Sequence, residues 1–157
     1  MIDAKRRILL KGSLAAGSVG VAIGAGLLSP RLVLAAWNEA AFTAKDTASA
    51  LNSLLGSDAA ESSDAIQIKA PDIAENGAVV PVTVETSLEG VKSIALIASG
   101  NATPLVASFD LGEAAVPFVS TRIKMGKTAD VVAVVQTGDK LLSNAKNVKV
   151  TIGGCGG

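Results

Sequence analysis

The sequence predicts a mostly β protein: an immunoglobulin-like antiparallel β-sandwich with one N-terminal helix and a flexible C-terminal arm. Between residues 66 and 152 the chain contains roughly seven short runs rich in β-branched residues, bounded by Gly, Pro, Asn or Asp. Hardly any helical pattern separates these runs, which favours two packed antiparallel sheets over alternating helices and strands. A third observation is that Gly fills four of the last five positions, which predicts the arm.

The first element of the predicted domain is an amphipathic helix from about Ala40 to Leu55. Small and apolar residues recur there at three- and four-residue spacing, namely at Ala41, Ala44, Ala48, Leu51 and Leu55. Gly56 follows as a suitable stop, and residues 56–64 form a polar linker. We expect this helix to pack on the sandwich without a chemical role.

The strands are predicted from alternation and from short apolar runs. They cover residues 66–69, 78–85, 91–98, 104–109, 116–124, 129–136 and 148–152, with a turn at 71–77. Pro81 and Pro117 cannot donate a ladder hydrogen bond, which predicts edges or bulges at those two strands. The continuous apolar run at 131–135 is compatible with a strand buried on both faces of its own domain or with a surface that a partner covers.

Residues 1–35 predict a twin-arginine signal peptide. Arg6 and Arg7 precede a mildly apolar, Gly-rich stretch at 12–28, and small residues before Ala36 suit a cleavage site. The alternative is a retained membrane anchor, because the apolar run is about long enough for a short span. We expect cleavage, export to the periplasm and no membrane association afterwards. The mature chain then consists of a helix-plus-sandwich domain at 36–152 and a Gly-rich swinging arm at 153–157.

The composition excludes several classes of function. Histidine is absent, which excludes catalytic units that need an imidazole and removes the commonest zinc ligand. A single cysteine excludes an internal disulfide and a CxxC pair. With one cysteine and no histidine, the sequence predicts neither a metal nor a cofactor. Beyond residue 35 the chain has nine basic and thirteen acidic residues, without a basic patch interleaved with aromatics. Nucleic acid is therefore not a predicted partner.

The tail Gly153-Gly154-Cys155-Gly156-Gly157 contains the only thiol of the chain. Glycines on both sides leave that thiol free of neighbouring bulk, and residues 152–155 extend over roughly 10 Å. The nearest basic residue in the sequence is Lys149, so the chain itself offers little to stabilise a thiolate. We therefore predict that Cys155 is a covalent attachment point which other enzymes act on, and that the chain is not itself an enzyme.

Two other interpretations of the thiol remain open from the residues. An exported β-sandwich module could dimerise through an intermolecular disulfide of Cys155, because an odd cysteine in an exported protein favours pairing between chains. A thiol redox enzyme would need a resolving cysteine from another protein.

Three segments and the leader resemble the SoxY family, the sulfur-carrier subunits of the periplasmic Sox thiosulfate-oxidising system. The segments are residues 148–157, 72–82 and 118–126, and the tail is the most specific of them. The resemblance implies that sulfur intermediates are bound to Cys155 as a cysteine S-thiosulfonate, with Gly153, Gly154, Gly156 and Gly157 as the flexible arm. It also implies a heterodimer with SoxZ, a second β-sandwich protein. The client enzymes would be the haem enzyme SoxAX, the manganese hydrolase SoxB and, in some hosts, SoxCD.

Overall fold

The computed structural model describes residues 38–138 and 140–153. The predicted signal peptide at 1–35 lies outside the described residues, as do Gly154, Cys155, Gly156 and Gly157. Among the described residues, no helix is both long enough and apolar enough to cross a membrane.

Two helices and nine strands form the described part of the chain. The helices are α1 (Glu39–Thr43) and α2 (Thr47–Leu55). The strands are β1 (Glu61–Ser62), β2 (Ile66–Lys69), β3 (Ile73–Ala74), β4 (Val80–Thr86), β5 (Val91–Ala98), β6 (Leu105–Asp110), β7 (Phe118–Ile123), β8 (Ala129–Thr137) and β9 (Lys140–Val150).

The strands form two sheets. The larger has the order β1-β9-β8-β5-β6, with β3 also pairing with β9, and the smaller has the order β2-β4-β7. The two-residue strands β1 and β3 run parallel to β9, whereas the other pairs are antiparallel. Val80, Val82 and Val84 of β4 alternate inward as predicted. The predicted antiparallel β-sandwich is confirmed.

Two apolar clusters cover both faces of the larger sheet. The main core lies between the sheets and includes Ile94 and Leu96 of β5, whose side chains have no exposed surface. The second cluster packs α1 and α2 against the outer face of the larger sheet, through Ala41, Ala50, Leu51, Ala95, Ile97, Leu105, Val134 and Leu141. The apolar run at 131–135 is therefore buried within its own domain, because Val131 and Val135 face the main core and Val134 faces the helices.

The prediction of one helix from Ala40 to Leu55 is wrong, because the chain forms two. The backbone at Ala44 is extended, and Asp46 starts a new helix by accepting a hydrogen bond from the Ser49 N–H at 2.8 Å. A side-chain cap of this kind satisfies a free first-turn donor. The break also rotates the second helix, so Ala50 is buried and Ala48 is exposed. Gly56 ends α2 in the left-handed conformation with φ 78°, as the predicted stop requires.

The last strand begins well before the prediction at residue 148. It starts at Lys140, directly after the turn at Gly138, and pairs with the whole length of β8. Polar residues in its first half hid it from the sequence pattern. One of them, Asn144, donates through Nδ2 to the Ile66 carbonyl at 2.6 Å and so joins the two sheets.

The predicted edge is confirmed for the strand that follows Pro117, because β7 is an outer strand of the smaller sheet, whereas the strand of Pro81 differs from the prediction. Pro81 lies in the middle strand of the smaller sheet, which pairs in unbroken register on both sides, so the edge or bulge predicted for that strand is wrong. However, β2 ends at Lys69 opposite Thr83, so Pro81 has a strand on one side only, where it pairs with Arg122. Pro117 precedes β7, and its carbonyl accepts a hydrogen bond from the Thr86 N–H.

The Asp46 cap gives a pH-dependent contribution to stability. The hydrogen bond from the Ser49 backbone N–H holds the pKa of Asp46 below its ordinary value. The stabilisation by this cap is therefore complete above the ordinary pKa of a carboxyl group. It is lost as the pH falls through the lowered pKa of Asp46 in the folded chain. We expect the difference in melting temperature between the wild type and Asp46→Asn, a cap that does not titrate, to be constant above about pH 5 and to shrink below about pH 4. A difference that grows on acidification would contradict this.

Candidate functional site

The candidate site is the arm root, residues 149–153, where the described chain leads towards the predicted arm. Of the predicted site residues, Gly153 is described, and it lies exposed at the surface. Cys155, Gly154, Gly156 and Gly157 lie outside the described residues, so the geometry of the thiol is not part of the site described below.

Hydrogen bonds tie the arm root to residues 72–77 on one side. This segment contains β3, which pairs in parallel with the end of β9. The bonds are from Lys149 N–H to Asp72 O at 3.0 Å, from Thr151 N–H to Ala74 O at 3.1 Å, from Thr151 Oγ1 to Glu75 O at 3.0 Å and from Gly77 N–H to Ile152 O at 2.8 Å. The chain is thus held up to the residue before Gly153.

Gly77 connects the arm root to the core. It is buried, it donates to Ile152 O, and its own carbonyl accepts from the Met125 N–H at 2.7 Å. Met125 is fully buried in the main core, next to the end of β7. On the other side, the Thr128 hydroxyl accepts from the Val150 N–H at 2.9 Å. The root is therefore fixed to the domain on both sides.

Gly153 is required at its position by a close backbone contact. A Cβ atom there would lie 2.3 Å from the carbonyl oxygen of Gly126, far inside any ordinary contact. Gly126 is itself held in place, because its N–H donates to Asn101 Oδ1 at 2.9 Å while Asn101 Nδ2 donates to Lys124 O at 2.7 Å. This gives one predicted arm glycine a role in packing as well as in chain freedom.

The arm root and residues 124–127 carry exposed cationic and apolar side chains. Lys124, Lys127 and Lys149 are exposed, and Ile152 exposes 68% of its surface. An open hollow of about 520 Å³ lies beside Gly126, lined by Gly100, Asn101, Ala102, Thr103, Lys124, Gly126 and Lys127. Within residues 38–138 and 140–153, no cluster of three His, Cys, Asp or Glu residues could hold a metal ion.

The sequence interpretation missed the residues that hold the arm root. Gly77 was recognised only as part of a turn, and Asn101, Met125 and Gly126 received no role. Their effect depends on contacts between residues far apart in the chain, for which a single sequence gives no signal.

We expect Gly153→Ala to loosen the arm root. The added methyl group forces residues 152–153 away from Gly126 and weakens the bond between Gly77 N–H and Ile152 O. Loss of about 1 kcal/mol from that bond corresponds to roughly fivefold faster hydrogen exchange at Gly77. The matched control is Gly112→Ala, where a Cβ meets nothing within 4 Å. Equal exchange at Gly77 in both variants would contradict the contact.

Comparison with known proteins adds independent observations. The family model described as "Sulfur oxidation protein SoxY" matches residues 51–155, a region that includes the arm root and ends at Cys155. The solved structure of the sulfur carrier protein SoxY from Chlorobium limicola f thiosulfatophilum is 50% identical. The match covers 66% of this chain and 94% of that chain, with a TM-score of 0.60.

A superoxide reductase (neelaredoxin) from Ignicoccus hospitalis gives a second structural match, with 18% identity and a TM-score of 0.49, covering 54% of this chain and 79% of that chain. No curated protein matches the sequence.

Proposed function

The chain belongs to the SoxY family of sulfur oxidation proteins, and from this membership we propose that it is a covalent sulfur carrier with Cys155 as the attachment point. The observation that carries the proposal is the arm root. The chain is hydrogen-bonded to the domain up to Ile152 and then reaches Gly153 at the surface. Two residues beyond Gly153, roughly 7 Å of extended chain, lead to the thiol.

The proposed chemistry needs a thiol that can reach other proteins. Thiosulfate is conjugated to the Cys155 sulfur in a two-electron oxidation: the thiol loses its proton, an S–S bond forms, and the haem enzyme SoxAX takes up the electrons. Hydrolysis by SoxB then adds water across the terminal S–S bond, which releases sulfate and a proton and leaves a persulfide on Cys155. In hosts that contain SoxCD, this enzyme takes up the electrons released when the remaining sulfur is oxidised.

This division of labour agrees with the residues near the arm. The described domain supplies position through Gly77 and Gly126, whereas the electron transfer and hydrolysis belong to the clients. The chain would accordingly be a substrate of these enzymes and not an enzyme itself. Its exposed lysines at the root, Lys127 and Lys149, suit cargo that carries negative charge.

The proposal includes partners and a location. Membership of the family supports SoxZ as the companion subunit of a heterodimer, and SoxAX, SoxB and, in hosts that contain it, SoxCD as clients. It also supports a periplasmic location, which the twin-arginine pattern at Arg6 and Arg7 predicts from the sequence.

Intact-mass analysis tests the proposal directly. The chain is purified with SoxZ, incubated with thiosulfate, SoxAX and an electron acceptor, and measured before and after addition of SoxB. We expect the intact chain to gain the mass of one thiosulfate group, and this gain to fall to the mass of one sulfur atom after addition of SoxB. Disulfide-linked dimers without any thiosulfate adduct would instead support a module that dimerises through Cys155.

A further inference from the structure

On one side of the sandwich, contacts cover part of each sheet edge. At the edge of the larger sheet, β1 and β3 pair with β9. At the edge of the smaller sheet, the Ile66 carbonyl of β2 accepts a hydrogen bond from Asn144 Nδ2. The other side carries β6 and β7, which are the outer strands of their sheets.

A β-bulge interrupts β6. Leu96 pairs with Ala107, whereas the next residue, Ile97, pairs with Leu105, so Val106 is an extra residue in β6. A bulge twists an edge strand and discourages pairing with another chain. The strand β7 has no such feature, because its six residues pair in unbroken register with β4.

The outward backbone groups of β7 can be assigned from its hydrogen bonds. Thr86 N–H donates to Pro117 O, and partners alternate between bonded and non-bonded in an antiparallel ladder. Ser120 and Arg122 therefore point their N–H and C=O groups away from β4. No strand of the described part of the chain lies on that side. Such a row of groups is a template for an added strand.

The start of β7 exposes apolar side chains, and acidic side chains lie beside it. Val116 exposes 77% of its surface and Phe118 exposes 52%. Beside them is a hollow of about 510 Å³, lined by Leu88, Glu89, Gly90, Val91, Lys92, Leu111, Glu113, Ala115 and Pro117. Its cation, Lys92, donates to Gly138 O at 3.3 Å, whereas the carboxylates of Glu89 and Glu113 have no ion pair among the described residues.

The apolar start of β7 lies away from the arm root. The strand ends at Ile123, close to Met125 and Gly126, which hold the root. Five steps of about 3.3 Å separate Phe118 from Ile123, or about 17 Å. The apolar part of this edge therefore lies at the opposite end of β7 from the residues that hold the arm root.

We propose that the free edge of β7 binds an extended strand of the companion subunit, which continues the smaller sheet. The partner strand has an apolar side chain over Phe118 and Val116 and a basic side chain facing Glu89 and Glu113. This inference rests on the proposed function, because the companion subunit comes from membership of a carrier heterodimer, and it adds the surface on which that subunit binds.

Two substitutions at Ser120 test whether SoxZ binds at the edge of β7, through the affinity of each variant for SoxZ. Ser120→Pro removes the outward N–H, whereas Ser120→Ala keeps it and removes the same hydroxyl, which lies 3.0 Å from Thr83 Oγ1. We expect titration calorimetry to show at least about tenfold weaker binding for Ser120→Pro and a change of less than about threefold for Ser120→Ala. Circular dichroism shows whether each variant folds.

Hydrogen exchange of the wild-type chain tests the docking surface on β7 even if Ser120→Pro does not fold. Protection of the Ser120 and Arg122 amides on addition of SoxZ is the expected result. Bound SoxZ without such protection would overturn the docking surface and leave the carrier function intact, since loading of Cys155 is measured separately. Protection that grows with protein concentration in the absence of SoxZ would assign the edge to a second copy of this chain and would also overturn the inference.

Discussion

Cys155→Ser is expected to abolish loading with thiosulfate completely while leaving the fold unchanged. A serine oxygen cannot form the S–S bond that holds the cargo, and no other cysteine of the chain can replace it. The residue follows the last strand, β9, which ends at Val150. We therefore expect the free energy of unfolding to remain within about 0.5 kcal/mol of the wild type. Intact mass after incubation with SoxAX and thiosulfate measures the loss, and urea denaturation measures the stability.

A relocated thiol tests whether loading by SoxAX depends on the position of the thiol on the arm or only on an accessible thiol. Cys155→Ser combined with Ser87→Cys keeps one exposed thiol but places it in the loop between β4 and β5, away from the arm root. If position on the arm matters, SoxAX does not load this variant, although a small alkylating reagent modifies it readily. Equal loading of the relocated thiol would show that the arm has no role in recognition by the client.

The sandwich could be predicted because its strands bury β-branched side chains in simple patterns. Residues 66–69 and 91–98 match β2 and β5, and the alternation of Val80, Val82 and Val84 identified the core face of β4. The first half of β9 was missed because that segment is largely polar and only partly buried. The helix break at Ala44 was missed because Asp46 caps a new helix inside an otherwise continuous apolar period.

Cys155 was named as the candidate attachment point from the sequence, whereas the contacts of the arm root were not predicted. A lone cysteine between glycine pairs is a local signal, and the resemblance to SoxY supplied its proposed chemistry. The contact between Gly153 and Gly126 and the bridge through Gly77 join segments that are distant in sequence. Tertiary packing creates such contacts, and the local pattern of residues does not predict them.

Met125→Ala is expected to cause the largest loss of stability near the arm root. The side chain is fully buried in the main core, and its N–H donates to the carbonyl of Gly77, which holds Ile152. Truncation removes apolar contacts and leaves a cavity, which typically costs about 2–5 kcal/mol. Chemical denaturation measures this loss, and hydrogen exchange at Gly77 should become faster. Met125→Leu conserves most of the volume and should cost less than about 1.5 kcal/mol.

Met125→Ala should change the stability of the protein, whereas Cys155→Ser should change its loading with thiosulfate. Under conditions in which Met125→Ala is still folded, we expect SoxAX to load Cys155 in this variant, because the reacting sulfur is unchanged. Cys155→Ser should show the reverse, with full stability and no loading. Loss of loading in folded Met125→Ala, with Met125→Leu unaffected, would mean that the clients recognise the packed arm root itself, and the carrier would then present a structured surface together with its thiol.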